Sequence, residues 1–201
     1  MKLHVFPPSP NARKCMVVSR LLDLNVPEVT IDLHAGDQKK PEFLALNPNG
    51  KMPVLEYDDG TTLWESNAIT NRLCAETDTA LWPKSNARYD IMRWQFWEGC
   101  HFAPAASKFI GYHFFGNHSI DLTAAAQELE VLAKVLDGHL AGRDWLAGNA
   151  MTTADISVSA ILCYRVPCKM PLDGYDNIAA WLGRIEALPA WKAVNLQPET
   201  A

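Results

Sequence analysis

The sequence changes character once, near Thr77, and this change limits the folds that the chain can adopt. Before Thr77, short apolar runs typical of strands alternate with helical segments, in the order βαβ followed by ββα. The last two strand-like runs flank Asp58-Asp59-Gly60, a tight-turn signal between antiparallel strands. This order predicts a small mixed sheet with helices on its faces.

After Thr77 the strand signals stop, and the polar, proline-containing stretch TDTALWPKSN resembles a linker between domains. Helical periodicity follows, with leucines at steps of three and four at positions 129, 132, 136 and 140. The segment that begins at Met151 has Thr152 and Asp155 placed for a capping box, and its apolar continuation is typical of a buried central helix. We therefore predict an α/β domain at residues 1–77 and an all-α domain at residues 86–201.

The composition excludes several classes of protein. The formal net charge of −5 argues against nucleic acid as the main partner, because phosphate binding requires a basic surface. No apolar run approaches the roughly 18 residues of a membrane span, and early prolines interrupt any signal-peptide core. The five cysteines form no C-x-x-C pair and the six histidines show no zinc-ligand spacing. We expect a cytoplasmic protein with reduced thiols, no metal and no membrane association.

The stretch FPPSPNARK, which starts at Phe6, follows the strand-like run KLHVF and has the pattern of a helix start. Ser9 is suited to the N-cap and Pro10 to the first helical position. A strand that runs directly into a capped helix directs the free N–H groups of that helix at one place, which favours a bound negative charge. From the residues alone, Ser9 as a plain cap and Asn11 as a solvated first-turn residue remain the alternative.

The stretch NPNGKMPVL places Pro53 at the head of a strand, because proline cannot donate to a sheet. With a cis Met52-Pro53 bond, the N–H and C=O groups of Met52 would face outward and could pair with an extended peptide. An ordinary trans proline after an Asn-Gly turn is the alternative. In WESNAI, Glu65 and Ser66 stand between a strand and a helix, where the helix start and the Ser66 hydroxyl could hold a carboxylate and Glu65 an ammonium. Read alone, this pair is also simply a helix start.

With these three motifs in this order, the chain resembles a cytosolic glutathione transferase over essentially its whole length. The resemblance implies a thioredoxin-like first domain and a helical second domain, with the thiolate of glutathione as the anion at the first helix. FPPSPNARK is most similar to the bacterial nu-class pattern, which has Thr-Pro-Asn at positions 9–11. The cysteine of beta-class members aligns with Pro10, which excludes a mixed disulfide through that position.

The resemblance assigns roles residue by residue. Asn11 and Ser9 are the candidate catalytic donors to the sulfur, and which of them is the main one stays open. The main chain of Met52 at Pro53 would pair with the cysteinyl part of glutathione. The remaining glutathione-binding candidates are Glu65 and Ser66 for the γ-glutamyl end, with Gln38, Lys39 and Lys51 for the glycine carboxylate. Trp97, His101 and Ala105 share a helical stripe that would line the electrophile site, whereas Cys15 is expected in the core.

The resemblance implies an enzyme that uses glutathione as co-substrate to attack a hydrophobic electrophile. Glutathione-dependent reduction of disulfides, as in the nu class, is the alternative reaction. A non-catalytic interaction module of the same fold is the third possibility. A homodimer is expected, without nucleic acid, membrane or metal partners.

Overall fold

A four-stranded mixed sheet lies at the centre of the first part of the chain, and the computed structural model describes residues 1–194. Its strands are β1 (Lys2–Val5), β2 (Glu28–Thr30), β3 (Val54–Glu56) and β4 (Thr62–Trp64), arranged in the order β2-β1-β3-β4. β1 is parallel to β2, and β3 is antiparallel to both β1 and β4. The βαβ and ββα order predicted from the sequence is therefore confirmed, and Asp58-Asp59-Gly60 lies between the two antiparallel strands β3 and β4.

Three helices accompany the sheet: α1 (Pro10–Leu21), α2 (Pro41–Leu46) and α3 (Ser66–Ala75). α1 and α3 contact each other, and α3 also contacts β3 and β4. Phe43 of α2 packs with Ile31 and Val54 in a buried cluster. His4 also lies next to Phe43, with its ring edge-on at 6.3 Å. Since side chains alternate along a strand, Leu3 and Val5 of β1 face the other side of the sheet, where both are buried.

The second part of the chain is helical, as predicted. Its helices are α4 (Ala87–Trp97), α5 (Ala103–His113), α6 (Leu122–Leu140), α7 (Thr153–Ala160) and α8 (Asp176–Glu186). Every residue of α7 is buried, which confirms the predicted central helix. The predicted capping box is present, because the Asp155 carboxylate accepts the N–H of Thr152 at 2.8 Å. The same carboxylate accepts hydrogen bonds from the Leu146 N–H and the Trp181 indole, both at 2.9 Å, and its burial raises the pKa of Asp155.

Between α4 and α5, just before Pro104, the chain passes through a π-helical turn, Glu98–Phe102. Proline lacks an N–H and collides with the carbonyl group four residues earlier, so an α-helix cannot continue unchanged through it. A π-turn inserts one residue and relieves this conflict. Side chains on either side of the turn are consequently rotated out of a regular helical stripe.

A final short helix, α9 (Pro189–Ala193), belongs to the first unit rather than to the helical one. The chain divides into a unit of residues 1–79 with the segment that begins at Pro189, and a unit of residues 80–188. Trp191 is almost fully buried, and the Arg13 guanidinium of α1 lies 5.3 Å from the centre of its ring. The helical domain predicted from the sequence, residues 86–201, includes this segment. The last part of that predicted domain, residues 195–201, lies outside the described residues.

Candidate functional site

The start of α1 presents hydrogen-bond donors at one point. Ser9 is the N-cap, as predicted, and its hydroxyl oxygen accepts the Ala12 N–H at 3.4 Å. The Arg13 N–H donates to the Ser9 carbonyl at 2.9 Å, and Pro10 has no N–H. Of the first-turn N–H groups, the one on Asn11 has no acceptor among residues 1–194. Because the Ser9 hydroxyl only accepts in the cap, its hydrogen stays available, so capping and donation to a ligand are compatible.

The start of α3 has an unusual main-chain conformation. Glu65, the residue before the helix, has φ 73° and ψ 112°, a region that residues other than glycine rarely adopt. Such conformations cost about 1–3 kcal/mol each and concentrate at functional sites. Here the strained residue is Glu65, which the sequence analysis predicts to bind glutathione. Its side chain is exposed, and the helix begins directly after it at Ser66.

The two helix starts meet through side chains. The Ser66 hydroxyl donates to Asn11 Oδ1 at 3.3 Å, and the Lys14 ammonium donates to Ser66 Oγ at 3.4 Å. Two predicted site residues that are 55 positions apart are thus brought into contact. Because the Ser66 hydroxyl directs its hydrogen to Asn11, the main-chain N–H of Ser66 is the group of this residue that could donate to a carboxylate.

Lys14 is a buried residue of the candidate site that the sequence motifs did not identify. Its side chain is only 2% exposed. A signal for it does exist, since Lys14 falls on the same helical face as Val17 and Val18, which are both fully buried. The neighbouring Cys15 is fully buried too, and its Sγ donates to the Ser66 carbonyl at 3.5 Å. Burial raises the pKa of the Cys15 thiol far above its ordinary value, although the Lys14 charge opposes this, so Cys15 is a core residue and not a nucleophile.

The third motif forms a loop beside Gln38. The Met52-Pro53 peptide bond is cis, as predicted, and no residue in the range 1–194 hydrogen-bonds to the main chain of Met52. The Asn47 side chain shapes this loop by donating to the Lys51 carbonyl at 2.6 Å. Gly50 has φ 61°, and a Cβ there would lie 3.1 Å from the Gln38 carbonyl oxygen. The loop that carries Lys51 therefore lies next to the 3₁₀ turn Asp37–Lys39, which carries Gln38 and Lys39.

The three residues predicted to line the electrophile site differ in how far they are buried. Trp97 is partly buried and stacks on Phe102, with ring centres 5.0 Å apart. His101 is exposed, whereas Ala105 is fully buried. His101 lies within the π-turn and Ala105 in the α-helix after it, so the two side chains do not keep the alignment that a regular helix gives to residues four positions apart.

Within residues 1–194, no group of three or more histidine, cysteine, aspartate or glutamate side chains is arranged to hold a metal ion. None of the helices in this range combines the length and the apolar content that crossing a membrane requires.

Comparison with known proteins decides the family. The family model "Glutathione S-transferase, N-terminal domain" matches residues 1–73, and "Glutathione S-transferase, C-terminal domain" matches residues 100–189. The chain is 32% identical to "Glutathione S-transferase 3" of Zea mays, over 98% of this chain and 96% of the relative. This chain belongs to the glutathione S-transferase family.

Two other members of the glutathione S-transferase family are relevant to its chemistry. The disulfide-bond oxidoreductase YfcG of Escherichia coli is 29% identical, over 92% of this chain and 90% of that protein. The glutathione transferase URE2P8 of Phanerochaete chrysosporium, whose crystal structure contains oxidized glutathione, superposes with a TM-score of 0.84. It is 26% identical, and the match covers 96% of this chain and 92% of that structure. The N-terminal family match includes both helix starts and the Met52-Pro53 loop.

Proposed function

We propose that this chain is a glutathione transferase that binds glutathione in its first unit and stabilises the ligand's thiol as the thiolate. The observation that carries the proposal is the contact between the starts of α1 and α3, through the 3.3 Å bond from Ser66 to Asn11. Two helix N-termini at one place favour two negative charges. Glutathione has them in its γ-glutamyl carboxylate and its thiolate.

The tripeptide would lie across the three motifs. Its γ-glutamyl carboxylate would accept from the N–H groups at the start of α3 at Ser66, and the exposed Glu65 carboxylate would pair with its ammonium. The main chain of Met52 would pair with the cysteinyl part. At the other end, the glycine carboxylate would meet Gln38 and the ammonium groups of two exposed lysines, Lys39 and Lys51.

Asn11 is the proposed main donor to sulfur. Its Oδ1 accepts from Ser66, and because a carboxamide is planar this leaves the amide nitrogen on the opposite side, free to donate. An unperturbed cysteine thiol has a pKa of about 8.5, so only a few per cent is ionised near neutral pH. A charge-assisted hydrogen bond from Asn11, together with the start of α1 and the Ser9 hydroxyl, lowers that pKa. No residue acts as a base, since the contribution is electrostatic stabilisation of the anion.

The thiolate then attacks an electrophilic carbon of a hydrophobic substrate. A carbon–sulfur bond forms, the leaving group departs with its electron pair, and the thiol proton goes to solvent. Trp97 and His101 are the proposed electrophile contacts, and the stacked Trp97 ring would supply apolar surface. The fully buried Ala105 stays a weaker candidate for this site.

Reduction of disulfides is the second candidate reaction, and the similarity to YfcG favours it. Since Pro10 occupies the position of the beta-class cysteine, both thiolates would come from glutathione. The first would attack one sulfur of the substrate and release the other as a thiolate, which takes up a proton. A second glutathione thiolate would then attack the mixed disulfide, giving glutathione disulfide and the second substrate thiol.

Side-by-side turnover tests this proposal. The protein is assayed with a chloronitrobenzene and with hydroxyethyl disulfide, each in the presence of glutathione, after calorimetry has measured glutathione binding. Conjugation alone or reduction alone selects between the two reactions. Binding without either turnover would indicate an interaction module, and the absence of binding would contradict the proposal.

We also propose that the protein is a cytoplasmic homodimer, as the family resemblance implies. α4 exposes Tyr89, Met92 and Phe96 at helical spacing, an apolar stripe that a second copy would cover. Sedimentation should give twice the monomer mass, and a monomer at micromolar concentration would contradict the homodimer.

A further inference from the structure

The buried ammonium of Lys14 has no role in the mechanism described so far. Complete burial of a lysine is rare, because removing an ammonium from water costs several kcal/mol unless it is hydrogen-bonded or paired. Lys14 is nevertheless only 2% exposed, one helical turn after Asn11, with its nitrogen 3.4 Å from Ser66 Oγ. An apolar residue would fit this helical face as well as the buried valines 17 and 18 do.

The position of Lys14 favours one direction of a hydrogen-bond chain, because its positive charge attracts the oxygen ends of the neighbouring dipoles. An ammonium group can only donate, so Ser66 Oγ must accept from it. The single hydrogen of the Ser66 hydroxyl is then directed to Asn11 Oδ1, and the amide nitrogen of Asn11 is turned away from Ser66. With Lys14 present, an Asn11 amide turned to donate to Ser66 Oγ would bring its positive N–H end towards the ammonium, which is unfavourable. Without Lys14 this penalty is absent, and the Ser66 hydroxyl could accept from the Asn11 amide nitrogen. That reversed arrangement would take the nitrogen away from a bound thiolate.

We infer that Lys14 is a positioning residue, which acts through Ser66 to hold the Asn11 amide in the orientation that donates to the glutathione thiolate. The inference rests on the proposed function, because it concerns the same bound thiolate. It differs from a direct electrostatic role, since the effect of Lys14 passes through two named side chains. Both contacts lie within the first unit, between α1 and α3.

The test compares Lys14→Met, which keeps the length of the side chain and removes its charge and donors, with Lys134→Met. Lys134 lies on α6, where it is exposed and pairs with Glu130 at 2.6 Å. For each protein, the ultraviolet absorbance of the bound thiolate is titrated against pH, and calorimetry measures glutathione affinity. Lys14→Met should raise the pKa of the bound thiol by about half a unit to one unit, roughly a 3- to 10-fold loss in the ratio of thiolate to thiol. Affinity should change little, and Lys134→Met should match the wild type.

A double variant separates positioning from direct charge. In an Asn11→Ala background, Lys14→Met should cause no further shift, because the group it orients has been removed. An equal shift in both backgrounds would mean that Lys14 acts through its charge alone and would overturn the inference. An unchanged thiol pKa in Lys14→Met would overturn it as well.

If Lys14→Met does not fold, Ser66→Ala tests the same inference, because Ser66 links Lys14 to Asn11. This variant removes the hydroxyl but retains the main-chain N–H, so it should raise the thiol pKa while glutathione still binds, and Ser66→Thr should restore the wild-type value. A Ser66→Ala protein with the wild-type thiol pKa would overturn the inference. If the wild type binds no glutathione, the proposed function itself fails. If it binds glutathione with a lowered thiol pKa that none of these variants changes, only the inference fails.

Discussion

Replacing Asn11 by alanine removes the proposed main donor to the glutathione sulfur. A hydrogen bond to a charged group contributes about 1.5–3 kcal/mol. Since one pKa unit corresponds to about 1.36 kcal/mol, the pKa of the bound thiol should rise by about one to two units. The start of α1 and the Ser9 hydroxyl remain in the variant, which places the expected shift near the lower end of this range.

The assay follows the ultraviolet absorbance of the thiolate in the binary complex as pH is raised, for the wild type, Asn11→Ala and Ser9→Ala. Turnover of Asn11→Ala should be strongly reduced at neutral pH and should partly recover at higher pH, as the thiol ionises without help. Glutathione affinity should change little, because Glu65 and the main chain of Met52 are untouched. Ser9→Ala should shift the titration in the same direction but less, and it should also cost about 1 kcal/mol of stability as a lost helix cap.

Two outcomes would contradict these assignments. If Ser9→Ala shifts the titration and Asn11→Ala does not, the roles of the two donors are reversed. If neither variant shifts it, the N-terminus of α1 alone stabilises the anion and Asn11 has no catalytic role.

Three further predictions concern binding and stability. Glutathione at a hundredfold excess over its Kd should stabilise the wild type by roughly 2.7 kcal/mol in thermal unfolding, and Glu65→Ala should abolish most of this gain; equal protection would remove Glu65 from the site. Asp155→Ala leaves buried donors without an acceptor and should lower the free energy of unfolding, measured in urea, by about 3 kcal/mol or more. The control Asp121→Ala, which removes an exposed helix cap, should lower it by about 1 kcal/mol. Equal losses in the two variants would show that Asp155 is only a cap. A hydrogen bond from His4 holds the pKa of Glu56 below its ordinary value, so the carboxylate stabilises the fold above its unfolded pKa and this contribution is lost as pH falls. Glu56→Gln should therefore be less stable than the wild type near neutral pH, with a difference that shrinks below about pH 4; a difference independent of pH would refute this.

Much of the fold could be predicted because its signals are local. Turn residues, strand-like runs and helix caps are each read within a few positions, and Ser9 and the Thr152–Asp155 capping box were identified in this way. The placement of α9 could not be predicted, since it depends on Trp191 packing against Arg13 of a helix far away in the sequence. Nor does Pro104 alone predict the π-turn that precedes it.

In the candidate site, too, contacts between residues far apart in the sequence could not be predicted. The sequence identifies Asn11 and Ser66 as helix-start residues, but the bond between them exists only because α1 and α3 pack together. For Lys14, the sequence does indicate that a long-range contact must exist, although it does not identify the partner. A lysine on a buried helical face must find an acceptor, because an ammonium without one would destabilise the fold by several kcal/mol. Here an acceptor is the hydroxyl of Ser66 at the start of α3, and that hydroxyl in turn donates to the amide oxygen of Asn11.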